Sequence, residues 1–191
     1  MKAGIVVVAT LAGPVAERIH EIQTRFDPRM AAELPPHLTL IGSSGMGPIS
    51  VRTPPDALRA TLVPVMESTP PLVLRFGPPM RFMQSEVVVL PLDPNGPVRT
   101  LHDRIAAQMR AARIVTERAR FTFTPHCTLN LYRELPNEAL RELLAVRIDD
   151  PVLIDAVQAY RSTGPAGTEC LFSLPLRGED TRDGAAFKEL S

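Results

Sequence analysis

The chain holds no tryptophan, two tyrosines and two lysines among 191 residues, and its 21 basic and 21 acidic side chains cancel. Zero formal charge excludes a protein that coats a duplex by electrostatics alone. The lysines, Lys2 and Lys188, stand near the two ends, and neither has the setting of a nucleophile. No Gly-x-x-x-x-Gly-Lys-[Ser/Thr] loop occurs either, which disfavours ATP-driven chemistry. Two cysteines, Cys127 and Cys170, are too few for a secreted disulfide framework and form no Cys-x-x-Cys pair. No apolar run reaches the roughly 18 residues of a membrane span. The short run Ile5 to Val8 is β-branched, follows a single positive charge and lacks a cleavage pattern, so it reads as a buried first strand and not as a signal segment. The expectation is a reduced, cytoplasmic protein with no membrane association.

Arginine is plentiful instead, at nineteen residues, and proline reaches 20. Guanidinium forks suit phosphate recognition, but a coding bias that also enriches Ala and Pro explains them more simply. Apolar residues at 45% and charged ones at 22% are the balance of an ordinary globule.

The chain repeats itself once. Gly13-Pro14-Val15 returns as Gly96-Pro97-Val98, Pro36-His37-Leu38-Thr39-Leu40 as Pro125-His126-Cys127-Thr128-Leu129, and Ala57-Leu58-Arg59 as Ala139-Leu140-Arg141, in the same order. Two copies are too few for a solenoid. Each half reads strand, helix, strand, helix, strand: Gly4 to Thr10, Gly13 to Phe26, His37 to Ile41, Asp56 to Glu67 and Leu72 to Phe76, then Glu86 to Leu92, Pro97 to Ala112, His126 to Tyr132 and Asn137 to Ala145, with strands near Val152–Tyr160 and Cys170–Leu176. Pro64 is expected to kink or end its helix. The predicted fold is α+β: two pseudo-symmetric lobes, each with an antiparallel sheet and helices, around a central groove. Lobe 1 would cover about 1–78 and lobe 2 about 79–177, divided at Gly77 to Pro79, with a loose polar tail over 178–191.

A strand turns alternate side chains to one face. His37 and Thr39 therefore share a face with Ile41 and Ser43, and His126 and Thr128 with Asn130 and Tyr132, while Leu38 and Cys127 turn inward. If the repeats face each other, two imidazoles and two hydroxyls meet across a cleft. Histidines near pH 6.5 can hold opposite protonation states, one taking a proton from an attacking oxygen and one giving a proton to a leaving oxygen. The hydroxyls can hold the charged oxygens of a phosphoryl group.

Paired His-x-Thr motifs in a duplicated chain resemble the two-histidine phosphoesterase superfamily, in particular the RNA 2′,3′-cyclic phosphodiesterases also called 2′–5′ RNA ligases. Pro35-Pro36-His37-Leu38-Thr39-Leu40 is similar to the first motif, and Phe123-Thr124-Pro125-His126-Cys127-Thr128-Leu129 to the second. The resemblance covers the chain to about Arg177. It implies hydrolysis of a 2′,3′-cyclic phosphate to a 2′-phosphate without metal or other cofactor, with His37 and His126 as the acid/base pair and Thr39 and Thr128 as phosphate clamps. Any 2′–5′ joining would proceed without ATP and at low yield in water. Many relatives have an arginine five residues after the second histidine; here Leu131 stands there and Arg133 is nearest. Arg133, Tyr132 as a base-stacking platform and Ser43 in the segment Gly42-Ser43-Ser44-Gly45 are the further substrate-binding candidates. Substrates would be RNA ends or cyclic nucleotides, and the chain is read as a monomer with no obligate protein partner. The alternatives are a non-catalytic RNA or nucleotide binder of the same fold, and a cyclic phosphodiesterase for a small metabolite such as ADP-ribose cyclic phosphate.

Other chemistry-bearing residues read plainly. His20 and His102 are structural or surface residues on two amphipathic helices. Cys127 is a small inward hydrophobe, and zinc would lack a third ligand at proper spacing. Arg110, Arg113, Arg118 and Arg120 would guide a polyanion toward the second motif or simply solvate a helix end.

Overall fold

Strand β1 (Gly4–Thr10) is buried along nearly its whole length, as its β-branched run requires. The computed structural model describes residues 3–82, 85–119, 121–162 and 167–179. Helix α1 (Pro14–Phe26) opens with proline in its first turn and turns Val15, Ala16, Ile19 and Phe26 inward. A short helix α2 (Pro28–Ala31), capped by Asp27, precedes β2 (His37–Ile41). Then come α3 (Pro55–Glu67), β3 (Leu72–Leu74) and β4 (Met80–Arg81). The second repeat supplies β5 (Val88–Pro91), α4 (Pro97–Ala111), β6 (His126–Asn130), α5 (Asn137–Ala145) and β7 (Val152–Ile154), followed by β8 (Ala156–Ser162) and β9 (Thr168–Pro175). Among the described residues no helix is long and apolar enough to cross a membrane.

The architecture is α+β with antiparallel pairing throughout, as expected. Among the described residues, seven strands run in the order β4-β5-β6-β2-β1-β8-β9, and β3 pairs with β7 separately. The two motif strands β2 and β6 are neighbours at the middle, joined through Leu38 and Cys127, so the sheets of the two halves are continuous. Two further pairings join the halves: β3 of the first pairs with β7 of the second, and β8, at the end of the second, pairs with β1 of the first. Gly77, at the expected boundary, donates its N–H to Pro91 O at 2.8 Å. The helices cross as well: α1 lies against β6 and α4 against β2.

Three local expectations differ. Helix α3 does not end at Pro64, because Leu58, Leu62, Val65 and Met66 bury it on both sides of that residue. Pro64 and Ala60 are exposed, so the carbonyl left without a partner faces water. The stretch predicted as one strand over Val152–Tyr160 is two, β7 and β8, in different sheets. Of the polar tail, Gly178 is fixed by a 2.9 Å bond to Thr69 O, and 180–191 lie outside the described residues.

Candidate active site

His37 and His126 are the first residues of β2 and β6. In an antiparallel pair with Leu38 opposite Cys127, His37 comes to lie opposite Thr128 and Thr39 opposite His126. Leu38 and Cys127 are buried, so the four motif side chains share the other face, where all are half-buried. Diagonal neighbours across such a pair stand about 7–8 Å apart.

The two motifs are built alike in detail. His37 Nδ1 donates to Pro35 O and His126 Nδ1 to Thr124 O, both at 2.7 Å and both two residues back. A carbonyl only accepts, so Nδ1 carries the hydrogen in both rings and Nε2 is the nitrogen left for chemistry. Burial holds both imidazoles below their ordinary value. For His37 the Pro35 bond opposes this and the charge of His126 adds to it. Thr39 and Thr128 make no side-chain hydrogen bond among the described residues.

Both strands carry a bulge at the same step. Val7 pairs with Ile41 and Val8 with Thr39, leaving Leu40 extra; Val88 pairs with Asn130 and Val89 with Thr128, leaving Leu129 extra. The bulge breaks the alternation on which two expectations rested. Ile41 and Asn130, expected beside the histidines, are 0% and 1% exposed. Ser43 is exposed on a loop past the end of β2. The loop is pinned: Gly42 N–H donates to Met46 O, Thr124 N–H to Ser44 Oγ and Gly45 N–H to Phe121 O. Gly42 at φ +136° has Val6 where a Cβ would sit, so the turn requires glycine.

Tyr132 also lies beyond its strand. Its backbone N–H and that of Leu131 donate to buried Asp27 Oδ2 at 2.7 and 2.8 Å, and its hydroxyl to Glu33 Oε2 at 2.8 Å. Arg29 covers one ring face at 4.4 Å, so that face is not open for a base. Burial, with Glu33 next, pushes the phenol up to about 12. Arg133 is exposed in the turn after Asn130, where strand parity no longer applies.

Two helix side chains brace the motif strands from the covered face. Gln23 Nε2 donates to Thr128 O at 2.7 Å, and His102 Nδ1 to Leu40 O at 2.7 Å. His102, stacked on Phe123 at 3.8 Å, is structural as expected, and His20 is exposed on the surface. Cys127 is fully buried with its thiol pushed up to about 12, the inert reading. A hollow of about 550 Å³, lined by residues including Arg99, His102, Arg118 and Phe123, holds none of the four motif side chains. Arg118 therefore lines a different surface; Arg120 lies outside the described residues. Among the described residues no three His, Cys, Asp or Glu side chains are grouped to hold a metal ion.

Sequence reasoning missed Phe82, whose ring lies 4.5 Å from that of His126. It sits one residue past a two-residue strand, too short for periodicity to register. It also missed Asp27, although Asp27-Pro28 is a helix-start signal.

The model of the 2′-5′ RNA ligase superfamily matches residues 12–165. A search of curated proteins returned no match. Among solved structures the chain is similar to TT0787 of Thermus thermophilus, at 19% identity and TM-score 0.66, covering 92% of this chain and 98% of that one. It is also similar to Escherichia coli LigT complexed with 3′-AMP, at 17% identity and TM-score 0.58, covering 91% and 97%. LigT complexed with NADP+ gives 20% identity and TM-score 0.53, covering 91% and 97%.

Proposed function

The chain belongs to the 2′-5′ RNA ligase superfamily, and from that premise we propose that it is a phosphodiesterase opening 2′,3′-cyclic phosphates of RNA ends or nucleotides. The observation that carries this reading is the antiparallel pairing of Leu38 with Cys127, which sets each histidine opposite the other motif's threonine. One neutral imidazole takes a proton from water through Nε2 as the water oxygen bonds to phosphorus. The other, protonated, gives its Nε2 proton to the departing 3′ oxygen. The products are a 2′-phosphomonoester and a free 3′ hydroxyl. Thr39 and Thr128 hydroxyls donate to the non-bridging oxygens, whose charge persists throughout. No step draws on ATP or on a metal. An alcohol in place of water would give a 2′–5′ linkage by the same ring opening, as a minor product in water.

The test is turnover of 2′,3′-cyclic AMP, with and without chelator, and identification of the product as 2′-AMP. His37→Ala and His126→Ala are each expected to lower kcat by roughly 10²–10⁴, with chelator harmless. Mutants that turn over normally, or a wild type that binds nucleotide without hydrolysing it, would overturn the reading.

A further inference from the structure

The two halves match residue for residue around the histidines, but their flanks differ in chemistry. Thr10 is the cross-strand partner of His37, where Pro91 is the partner of His126. One strand further out, Gln158 pairs with Val8 as Met80 pairs with Val89. Tyr160 follows two residues after Gln158 as Phe82 follows Met80, so the aromatic ring that touches His126 has its counterpart in Tyr160 on the His37 side. The His126 flank is thus Pro91, Met80 and Phe82, all without a side-chain donor. The His37 flank is Thr10, Gln158 and Tyr160, with exposed Ser173 and Cys170 paired alongside on β9.

On that polar flank Thr10 Oγ1 donates to Gln158 Oε1 at 2.6 Å and the Tyr160 hydroxyl donates to the same oxygen at 2.7 Å. Burial, with Cys170 next, raises the Tyr160 phenol, which keeps it a donor. Both hydroxyls therefore fix the amide with its oxygen occupied. Gln158 Nε2 has no partner among the described residues, and the residue is half-buried on the open face of the sheet. The side chain offers a ligand two N–H donors and no acceptor. It stands two strands from β2, about 10 Å from the His37 strand, a span suited to one nucleoside.

Resting on the phosphodiesterase reading, we propose that Thr10, Gln158 and Tyr160 form a nucleobase subsite that selects keto bases over amino bases. Tyr160 supplies a stacking face for a splayed base. The fixed Gln158 amide donates to O4 of uracil or O6 of guanine. Cytosine and adenine present an amino group at the same edge, which sets donor against donor. Discrimination at one such contact is of the order of tenfold.

The test measures kcat/KM for the four nucleoside 2′,3′-cyclic monophosphates in wild type, Gln158→Glu and Tyr160→Phe. Wild type is expected to favour uridine over cytidine and guanosine over adenosine. Gln158→Glu still accepts from both hydroxyls but replaces the donor with an acceptor, so the order is expected to invert. Tyr160→Phe keeps the ring and leaves the amide held by Thr10 alone, so discrimination shrinks. The same base order and ratio in all three proteins would overturn the subsite. If the wild type hydrolyses none of the four, the phosphodiesterase reading fails, and titration with 3′-UMP and 3′-CMP still reads the subsite. Inversion of their affinity order in Gln158→Glu supports it, and an unchanged order overturns it.

Discussion

At the scale of single residues, the protonation of two imidazoles governs the expected chemistry. Each ring is fixed by a bond from Nδ1 to a carbonyl two residues back, and burial depresses both. In the proposed mechanism the active form holds one proton between the two rings, so its population peaks between two macroscopic values that belong to the pair. Burial lowers both rings, which moves that singly protonated form toward lower pH. The pH profile of kcat/KM is therefore expected to be a bell centred on the acid side of 6.5, falling as pH rises toward 7; an optimum at or above pH 7 would contradict it. The His-x-Thr motifs were legible because a period of two needs only the strand itself. Ser43 and Tyr132 were read onto the same face by extending that period past Leu40 and Leu129, where a bulge consumes one residue in each strand. Nothing local in Thr-Leu-Ile or Thr-Leu-Asn announces the extra residue.

At the scale of elements, the strands and long helices followed from apolar periodicity, including both proline-opened helices α1 and α4. The short pieces did not, because α2 and β4 are too brief to show a period. Asp27 shows what such a piece does. It caps α2 by accepting from Met30 N–H at 3.1 Å, and its other oxygen holds the Leu131 and Tyr132 N–H groups just past β6. One buried carboxylate thus ties the segment entering β2 to the turn leaving β6. Asp27→Ala removes the acceptor for three backbone donors and is expected to cost about 1–3 kcal/mol, read as a lower urea midpoint. Asn at this position retains the cap and is expected to lose less. Equal midpoints for Ala and wild type would contradict the role.

At the scale of the whole molecule, the duplication was visible as matched motifs in order, but its exchange of parts was not. Pairing of β8 with β1 and β3 with β7, and the bracing of β6 by Gln23 and of β2 by His102, are contacts between residues far apart in sequence. Each repeat is completed by the other, and the pair of bulged strands at the centre carries both histidines. The central claim is that both imidazoles serve one phosphorus atom. Inorganic phosphate, followed through the imidazole resonances of the four histidines, tests it without any assumption about substrate. One phosphate per chain is expected to raise the pKa of His37 and His126 together and leave that of buried His102 unmoved. A shift of one motif histidine alone, or two independent phosphates, would contradict the account.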